Sequence, residues 1–157
     1  MANMSMFYEI AQHATCNPSN LLAAEYGAHM FSVELSTPCD NGNLVKIGEM
    51  ISLDLFSEEA VTAFTGKIVM QMGNGNWLVM VDDPGDAALV YQVPIGAEDW
   101  TSKFKSEKNL YNLAGDRVRA YALCKWDRFE VSKEAFNGEP VVGAAINGVT
   151  DKKMNIA

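Results

Sequence analysis

Alternating apolar and polar residues, in short stretches that end at turn residues, are the feature that most constrains the fold of this chain. In MFSVEL, Phe31, Val33 and Leu35 fall on one side of an extended chain, and the serine and the glutamate between them fall on the other. A period of two residues is typical of a β-strand that buries one face. The sequence therefore predicts a mainly β protein.

Seven further stretches carry a strand signal. They are MISLDLF (50–56), GKIVMQM (66–72), WLVMV (77–81), AALVYQV (87–93), RVRAYAL (117–123), RFEVS (128–132) and PVVGAAI (140–146). About eight short strands at this spacing indicate a small barrel or a sandwich of antiparallel strands.

The alternation also predicts which side chains are buried. In MISLDLF, Ile51 and Leu53 are expected to share the buried face with Leu55, and in GKIVMQM the same is expected of Ile68, Met70 and Met72. WLVMV is apolar throughout, which predicts a central strand that is buried on both faces.

Asn-Gly recurs four times, at residues 41–42, 74–75, 137–138 and 147–148. Both residues tolerate the positive φ angles of tight hairpin turns, so we interpret these pairs as chain reversals rather than as binding loops. The stretch DDPGD (82–86) predicts another turn.

Three segments lack the strand pattern. SEEAVTAF (57–64) begins with a possible capping serine and is followed by Gly66, which predicts a short helix. A second short helix, or a loop anchored by aromatic residues, is allowed by AEDWTSKFKSEKNLYN (97–112). Residues 1–28 hold two helix-compatible stretches around the turn signal NPSN (17–20), so we expect an N-terminal arm or helical segment ahead of a β domain at 29–157.

Composition narrows the possible partners. The chain has 157 residues with 12 basic and 20 acidic side chains, giving a net charge of −8, which argues against binding to nucleic acid. No apolar run approaches the roughly 20 residues needed to cross a bilayer, and the N-terminus has no signal-peptide pattern. The three cysteines are odd in number and far apart, so we expect free thiols in a reducing compartment.

Four possible zinc ligands occur early in the chain: His13, Cys16, His29 and Cys39. Structural zinc sites pair their ligands at tight spacings at both ends, whereas the last interval here crosses a predicted strand. We therefore predict no metal site and interpret the cysteines as buried thiols.

Catalytic and cofactor signatures are weak throughout. Asp82, Asp83 and Asp86 lack the ligand alternation of a calcium loop, GNGNW (73–77) lacks the ending of a phosphate loop, and no nucleophile elbow is present. We predict no catalytic residue and no cofactor, and a binding or structural role rather than an enzyme. Within the predicted strands, Met30, Met50, Met70, Met72 and Met80 are expected to fill the core.

The order of several stretches resembles a class of small virion proteins of tailed bacteriophages, encoded close to the major capsid protein, that decorate or cement the head. The resemblance covers roughly residues 40–157. It lies in CDNGNLVKIGEMI, GKIVMQMGNGNWLVMV, ALVYQVP, NLYNLAGDRVRAYALCKWDRFEVSKEAF and GEPVVGAAING. It implies a protein without a catalytic site that binds the outer surface of a capsid lattice in many copies.

The expected partner is therefore the major capsid protein, and the expected location is the virion, with the host cytoplasm during assembly. Large aromatic side chains dominate interface energies, so the candidate contact residues are Phe7, Tyr8, Tyr26, Trp100 and Phe104, whose alternative is burial in the protein's own core.

Two other functions fit the same pattern. One is a tail or neck component that self-assembles through the edges of its strands. The other is a domain that binds carbohydrate or another small ligand, with Trp100 and Trp126 as a stacking platform, since Trp77 lies in a core-like run.

Overall fold

A computed structural model describes residues 14–21, 29–92 and 112–157 of the chain. Within these residues there are twelve strands, one 3-10 turn at Lys133–Ala135 and no α-helix. Among the same residues, no helix has the length and apolar character that would let it cross a bilayer.

The strands follow one another closely along the chain. They are β1 (Cys16–Asn20), β2 (Met30–Glu34), β3 (Leu44–Ser52), β4 (Leu55–Glu59), β5 (Thr65–Gln71), β6 (Trp77–Asp83), β7 (Ala88–Val90), β8 (Arg117–Ala122), β9 (Arg128–Val131), β10 (Phe136–Asn137), β11 (Ala145–Thr150) and β12 (Lys153–Ile156).

These strands form a barrel and a second sheet. The barrel closes in the order β2-β4-β3-β7-β8, and the sheet has the order β1-β9-β6-β5-β11-β12-β10. A mainly β fold that includes a small barrel is therefore confirmed. The prediction of about eight antiparallel strands was wrong, because there are twelve in the described residues, and β2 with β4 and β10 with β12 are parallel pairs.

One wall of the barrel, formed by β3, β7 and β8, is buried on both sides along β7 and at the adjoining residues Leu44, Val45, Ala120 and Tyr121. Ala88 and Val90 of β7 point into the barrel, where Val45 and Val118 also lie. Leu89 points the other way, into the main core. There it joins buried residues of the second sheet, which are Ile68, Val79, Val81, Phe129, Val131 and Ile146. We call β3, β7 and β8 the shared wall, because it serves both cores.

The hairpin between β5 and β6 turns at the second Asn-Gly pair, as predicted. Gly75 has a φ of +90°, and its amide donates to Met72 O at 2.9 Å, while Asn74 Oδ1 accepts from the amide of Asn76 at 3.0 Å. DDPGD also turns the chain, with the Ala87 amide bonded to Pro84 O at 3.0 Å.

Two other turn signals form bulges inside strands. Asn147-Gly148 lies within β11, where these two residues lie opposite the single residue Asn155 of β12. NPSN lies within β1, whose register with β9 shifts between Asn17 and Asn20. Turn-forming residues at these positions kink a strand instead of reversing it, because each strand keeps pairing with its neighbour beyond the bulge.

The predicted helix at residues 57–64 is wrong. β4 occupies Leu55–Glu59 and pairs with β2 on one side and β3 on the other, so closure of the barrel overrides local helix propensity. Of the other segments, residues 97–111 of the second predicted helix and most of the predicted arm at 1–28 lie outside the described residues.

The predicted burial of β5 and β6 holds for one face. Val79 and Val81 of β6 are buried, and β6 is central as predicted, but Leu78 and Met80 are partly exposed. The expected core role also fails for Met70, because a register shift between Ile68 and Met70 turns it outward.

None of the five methionines at 30, 50, 70, 72 and 80 is buried, whereas Met154 of β12, which the strand pattern did not single out, is fully buried. The prediction that those five fill the core is therefore wrong for the exposed Met50 and Met70. Apolar side chains of the strands are thus available at the surface.

A pair of neighbouring substitutions tests the assignment of faces on β5. We expect Ile68→Ala to lower the free energy of unfolding by about 2–5 kcal/mol, because it opens a cavity in the main core. Val69→Ala, on the outward face, is expected to change it by no more than about 1 kcal/mol. Urea denaturation measures both, and equal losses would contradict the assignment.

Candidate functional site

The segment CDNGN (39–43) lies at the junction between the shared wall and the second sheet. Asn41 is 1% exposed, and its side chain bonds to Gln92 in both directions, through Nδ2 to Gln92 O at 2.8 Å and through Oδ1 to the Gln92 amide at 3.0 Å. Asn112 Nδ2 also donates to Asn41 Oδ1, at 3.3 Å. The segment is therefore a buried connection, which we call the Asn41 joint. The packing of Gly42 supports the same conclusion.

Gly42 leaves no room for a side chain. Its φ is +86°, and a Cβ there would lie 2.9 Å from Val131 Cγ1 of β9. Its amide donates to Val90 O of β7 at 2.8 Å. Only glycine can therefore connect the two layers at this position.

A cleft of about 480 Å³ opens beside this junction. It lies between the loop before β3, the end of β4 and the β11–β12 turn, and its lining includes Thr37, Pro38, Val61, Glu58 and Lys152. Glu58 and Lys152 form an ion pair across it, and the Glu58 side chain is only 4% exposed.

The polar groups of this cleft satisfy one another. Glu58 Oε2 accepts from the Ser36 amide at 2.8 Å and from Ser36 Oγ at 3.1 Å, and Lys152 Nζ also donates to Thr37 O at 2.9 Å. Burial by itself raises the pKa of Glu58, but the hydrogen bonds from Lys152 and Ser36 outweigh burial and hold the pKa below its ordinary value of 4.5. The carboxylate and the ammonium are thus engaged in joining the barrel to the second sheet.

The backbone of the β11–β12 turn is bent to make this contact. Asp151 and Lys152 have φ angles of +51° and +66°, the left-handed region that costs a residue with a side chain about 1–2 kcal/mol. The Lys152 carbonyl also accepts from the Leu44 amide at 2.9 Å. The turn is therefore a structural connection between the two sheets.

The candidate metal ligands do not converge. Among the residues that the structure describes, no three histidine, cysteine, aspartate or glutamate side chains are placed to hold one ion. Cys16 and Cys39 are buried, and burial raises the pKa of Cys39 to about 12, so its thiol is protonated at neutral pH. His29 is exposed, and His13 lies outside the described residues.

Two acidic residues of DDPGD make structural contacts, Asp86 with the loop before β5 and Asp83 within its own turn. Asp86 accepts hydrogen bonds from the amides of Thr62 and Ala63, at 3.1 and 3.2 Å, and from the Thr62 hydroxyl, while Asp83 accepts from the Gly85 amide at 3.0 Å. These carboxylates cap turns.

The most exposed apolar side chains of the barrel lie at the end of the β3–β4 hairpin. Residues 50–56, predicted as one strand, contain a turn at Leu53 and Asp54, whose φ is +56°. Leu53 is 88% exposed, and Met50 and Ile51 are each more than half exposed. We call these three residues the hairpin tip.

Two bulges in β3 create the tip. The register of β3 with β4 shifts between Ile47 and Met50 and again between Met50 and Ser52. The strict alternation that would have buried Ile51 and Leu53 is therefore broken, and only Leu55 keeps its predicted burial. Bulges that aim side chains outward are recurrent devices of binding surfaces.

The five predicted contact residues, Phe7, Tyr8, Tyr26, Trp100 and Phe104, lie outside the described residues. Sequence reasoning missed the hairpin tip because it read residues 50–56 as a single strand. The one available signal was Asp54, since aspartate tolerates a positive φ and interrupts an otherwise apolar run.

Trp126, considered above for stacking, lies in the turn between β8 and β9. It is 63% exposed, has a φ of +76°, and carries Lys125 Nζ 5.0 Å from its ring centre. Trp77 packs partly against the main core, in line with the sequence analysis.

No family model, no curated protein and no solved structure matches this chain.

Removing the Asn41 side chain tests the buried joint. We expect Asn41→Ala to lower the free energy of unfolding by about 1–3 kcal/mol, because the amide of Gln92 and the Asn112 side chain lose a buried partner. Asn147→Ala, an exposed member of another Asn-Gly pair, is the matched control and is expected to cost less than about 1 kcal/mol. Equal losses in thermal or urea denaturation would count against a joint at residue 41.

The Glu58 ion pair predicts a pH dependence. Because the folded-state pKa is depressed, its contribution to stability is complete above the unfolded-state pKa of about 4.5 and is lost as the pH falls through the lower folded-state value. Wild type should therefore exceed Glu58→Gln in free energy of unfolding by more at about pH 7 than at about pH 3. The exposed control Glu139→Gln should follow wild type, and a pH-independent gap for Glu58→Gln would refute the prediction.

Proposed function

We propose that this protein is a structural protein of a tailed bacteriophage that binds the outer surface of the capsid lattice and decorates or stabilises the head. The observation that carries the proposal is the hairpin tip, in which Met50, Ile51 and Leu53 project from the barrel into solvent. Contiguous exposed apolar side chains are unfavourable in isolation and mark surfaces that bind another protein.

The tip is suited to insertion into a groove of a partner. It stands on a hairpin whose β4 strand pairs with β2 from Leu55 onward, next to the tip, and whose β3 strand is paired with β7 at Leu44 and Val45. A preorganised hairpin loses little conformational freedom on binding, so burial of its apolar side chains contributes directly to affinity. Repetition of the contact over a lattice adds avidity without a deep pocket.

The resemblance in residues 40–157 to head decoration proteins supplies the identity of the partner, the major capsid protein. The rival within virion proteins, self-assembly through strand edges, has less support. The barrel is closed, and the two end strands of the second sheet are a bulged β1 that contains Pro18 and a two-residue β10. Bulges, prolines and short strands are features that block edge pairing.

A second candidate function rests on Trp126. A tryptophan that is held exposed in the left-handed region, at a cost of about 1–3 kcal/mol, is a candidate ring for stacking on a sugar. The measurement that separates the two functions is binding to a glycan array, where Trp126→Ser should abolish any signal.

The proposal predicts that the hairpin tip is needed for capsid binding. Purified shells of the major capsid protein, mixed with the protein and imaged by electron cryomicroscopy, should carry extra density on their outer surface. Leu53→Asp should weaken binding by about tenfold or more, because it places a charge in an apolar contact. Trp126→Ser is the control and should bind as wild type. Bare shells with wild type, or equal binding by Leu53→Asp, would contradict the proposal.

A further inference from the structure

The second sheet has an outer face that no other described element of the protein covers completely. Residues paired across neighbouring antiparallel strands share a face. Met80 of β6 is paired with Lys67 of β5 and with Arg128 of β9, and the next outward residue of β6, Leu78, is paired with Met70 and Glu130. The inward residues between them, such as Val79, are buried in the main core.

The centre of this face is apolar. Leu78 and Met80 are partly exposed, Met70 is 47% exposed, and Val69 beside it is also exposed. Val69 and Met70 are neighbours in β5, yet both face outward, because the register shift between Ile68 and Met70 interrupts the alternation. We call Val69, Met70, Leu78 and Met80 the outer face.

Two exposed valines lie in a turn next to β5. Val141 and Val142 belong to a turn that is bonded to β5, since the Gly143 amide donates to Ile68 O and the Ile68 amide donates to Ala144 O, each at 2.9 Å. Turns usually carry polar residues, so two exposed valines here are unfavourable in water.

The charges around the outer face are arranged in rows of opposite sign. Arg128 and Lys67 flank Met80, while Glu130 flanks Leu78. Arg128 and Glu130 are two residues apart on β9 and therefore about 7 Å apart along the strand. Glu130 is held in place by Asn17 Nδ2, which donates to its Oε2 at 2.7 Å.

This arrangement is complementary to itself. A two-fold axis that reverses the strand direction places Arg128 of one copy against Glu130 of the other. Beside these pairs, Met80 of each copy then lies on Leu78 of the other, and Lys67 of each copy lies on Met70 of the other. Two sheets stacked in this way lie about 10 Å apart, as in a sandwich core. Contacts of this kind, in which the same patch is used by both copies, are the most common in oligomers.

We propose that two copies of this chain associate face to face through the outer faces of their second sheets, with Arg128 of each copy opposite Glu130 of the other. The methionines of the face suit such a contact, because their flexible side chains adapt to an opposing surface. Both hairpin tips belong to the barrels and stay outside the contact, so the dimer leaves them exposed.

Sedimentation equilibrium of the full chain tests the inference without any capsid. Wild type should form a dimer, and Met70→Lys should weaken it by about tenfold or more, because the two-fold axis places residue 70 of each copy opposite Lys67 of the other. Arg128→Glu or Glu130→Arg alone should weaken it as well, through like charges that face each other. The double charge swap should restore it, and the tip variant Leu53→Asp is the control that should dimerise as wild type.

Several outcomes would overturn the inference. A wild type that stays monomeric up to about 100 µM would do so, as would a dimer that Met70→Lys leaves intact or a charge swap that fails to rescue while circular dichroism shows native β structure. Because no capsid enters this experiment, a monomer here leaves the capsid proposal standing. Conversely, loss of capsid binding in Leu53→Asp leaves the dimer intact.

Discussion

Burial of the shared wall on both of its faces is the constraint on which the rest of the structure depends. β3, β7 and β8 help to close the barrel and at the same time line the main core, so the barrel and the second sheet cannot separate without exposing the main core. Leu89 and Val90, adjacent in β7, illustrate this division, since each is fully buried in a different core. Polar contacts then hold the connections in place: Asn41 ties the loop before β3 to Gln92 and Asn112, and the Glu58–Lys152 pair links the barrel to the second sheet. These groups form their hydrogen bonds within the protein. The polar residues of the neighbouring cleft therefore have a structural role.

The sequence correctly predicted the strands in which the alternation of apolar and polar residues matches the observed burial. In β2, Val33 and Leu35 are buried as the period of two requires, and the hairpin at Asn74-Gly75 turns where the dipeptide indicates. It failed where a bulge shifts the alternation by one residue, as at Ile68–Met70 and between Ile47 and Ser52. Bulges depend on the register of a neighbouring strand, and that register is a tertiary property that a local pattern does not contain.

The candidate site could not be predicted for the same reason. Ile51 and Leu53 carry the pattern of a buried strand face, and only the turn at Asp54 together with two bulges places them in solvent. The joint at residues 39–43 departs from the local rule in the opposite direction. Its dipeptide Asn41-Gly42 is typical of exposed turns but is packed against Val131. Local rules and the fold thus disagree at the positions that project from the surface or join the layers, where functional or structural constraints outweigh local preference.

The two proposed contacts lie on apolar surfaces that bulges help to shape: a narrow tip on the barrel and a flat face on the second sheet. Hydroxyl-radical footprinting on capsid shells tests the central claim, that the tip is the contact, because it measures the solvent access of individual side chains. The account predicts that Met50, Ile51 and Leu53 lose reactivity when the protein is bound, while Pro38 and Val61 of the cleft keep theirs. Full reactivity of the tip on bound protein, with new protection in the cleft, would contradict it.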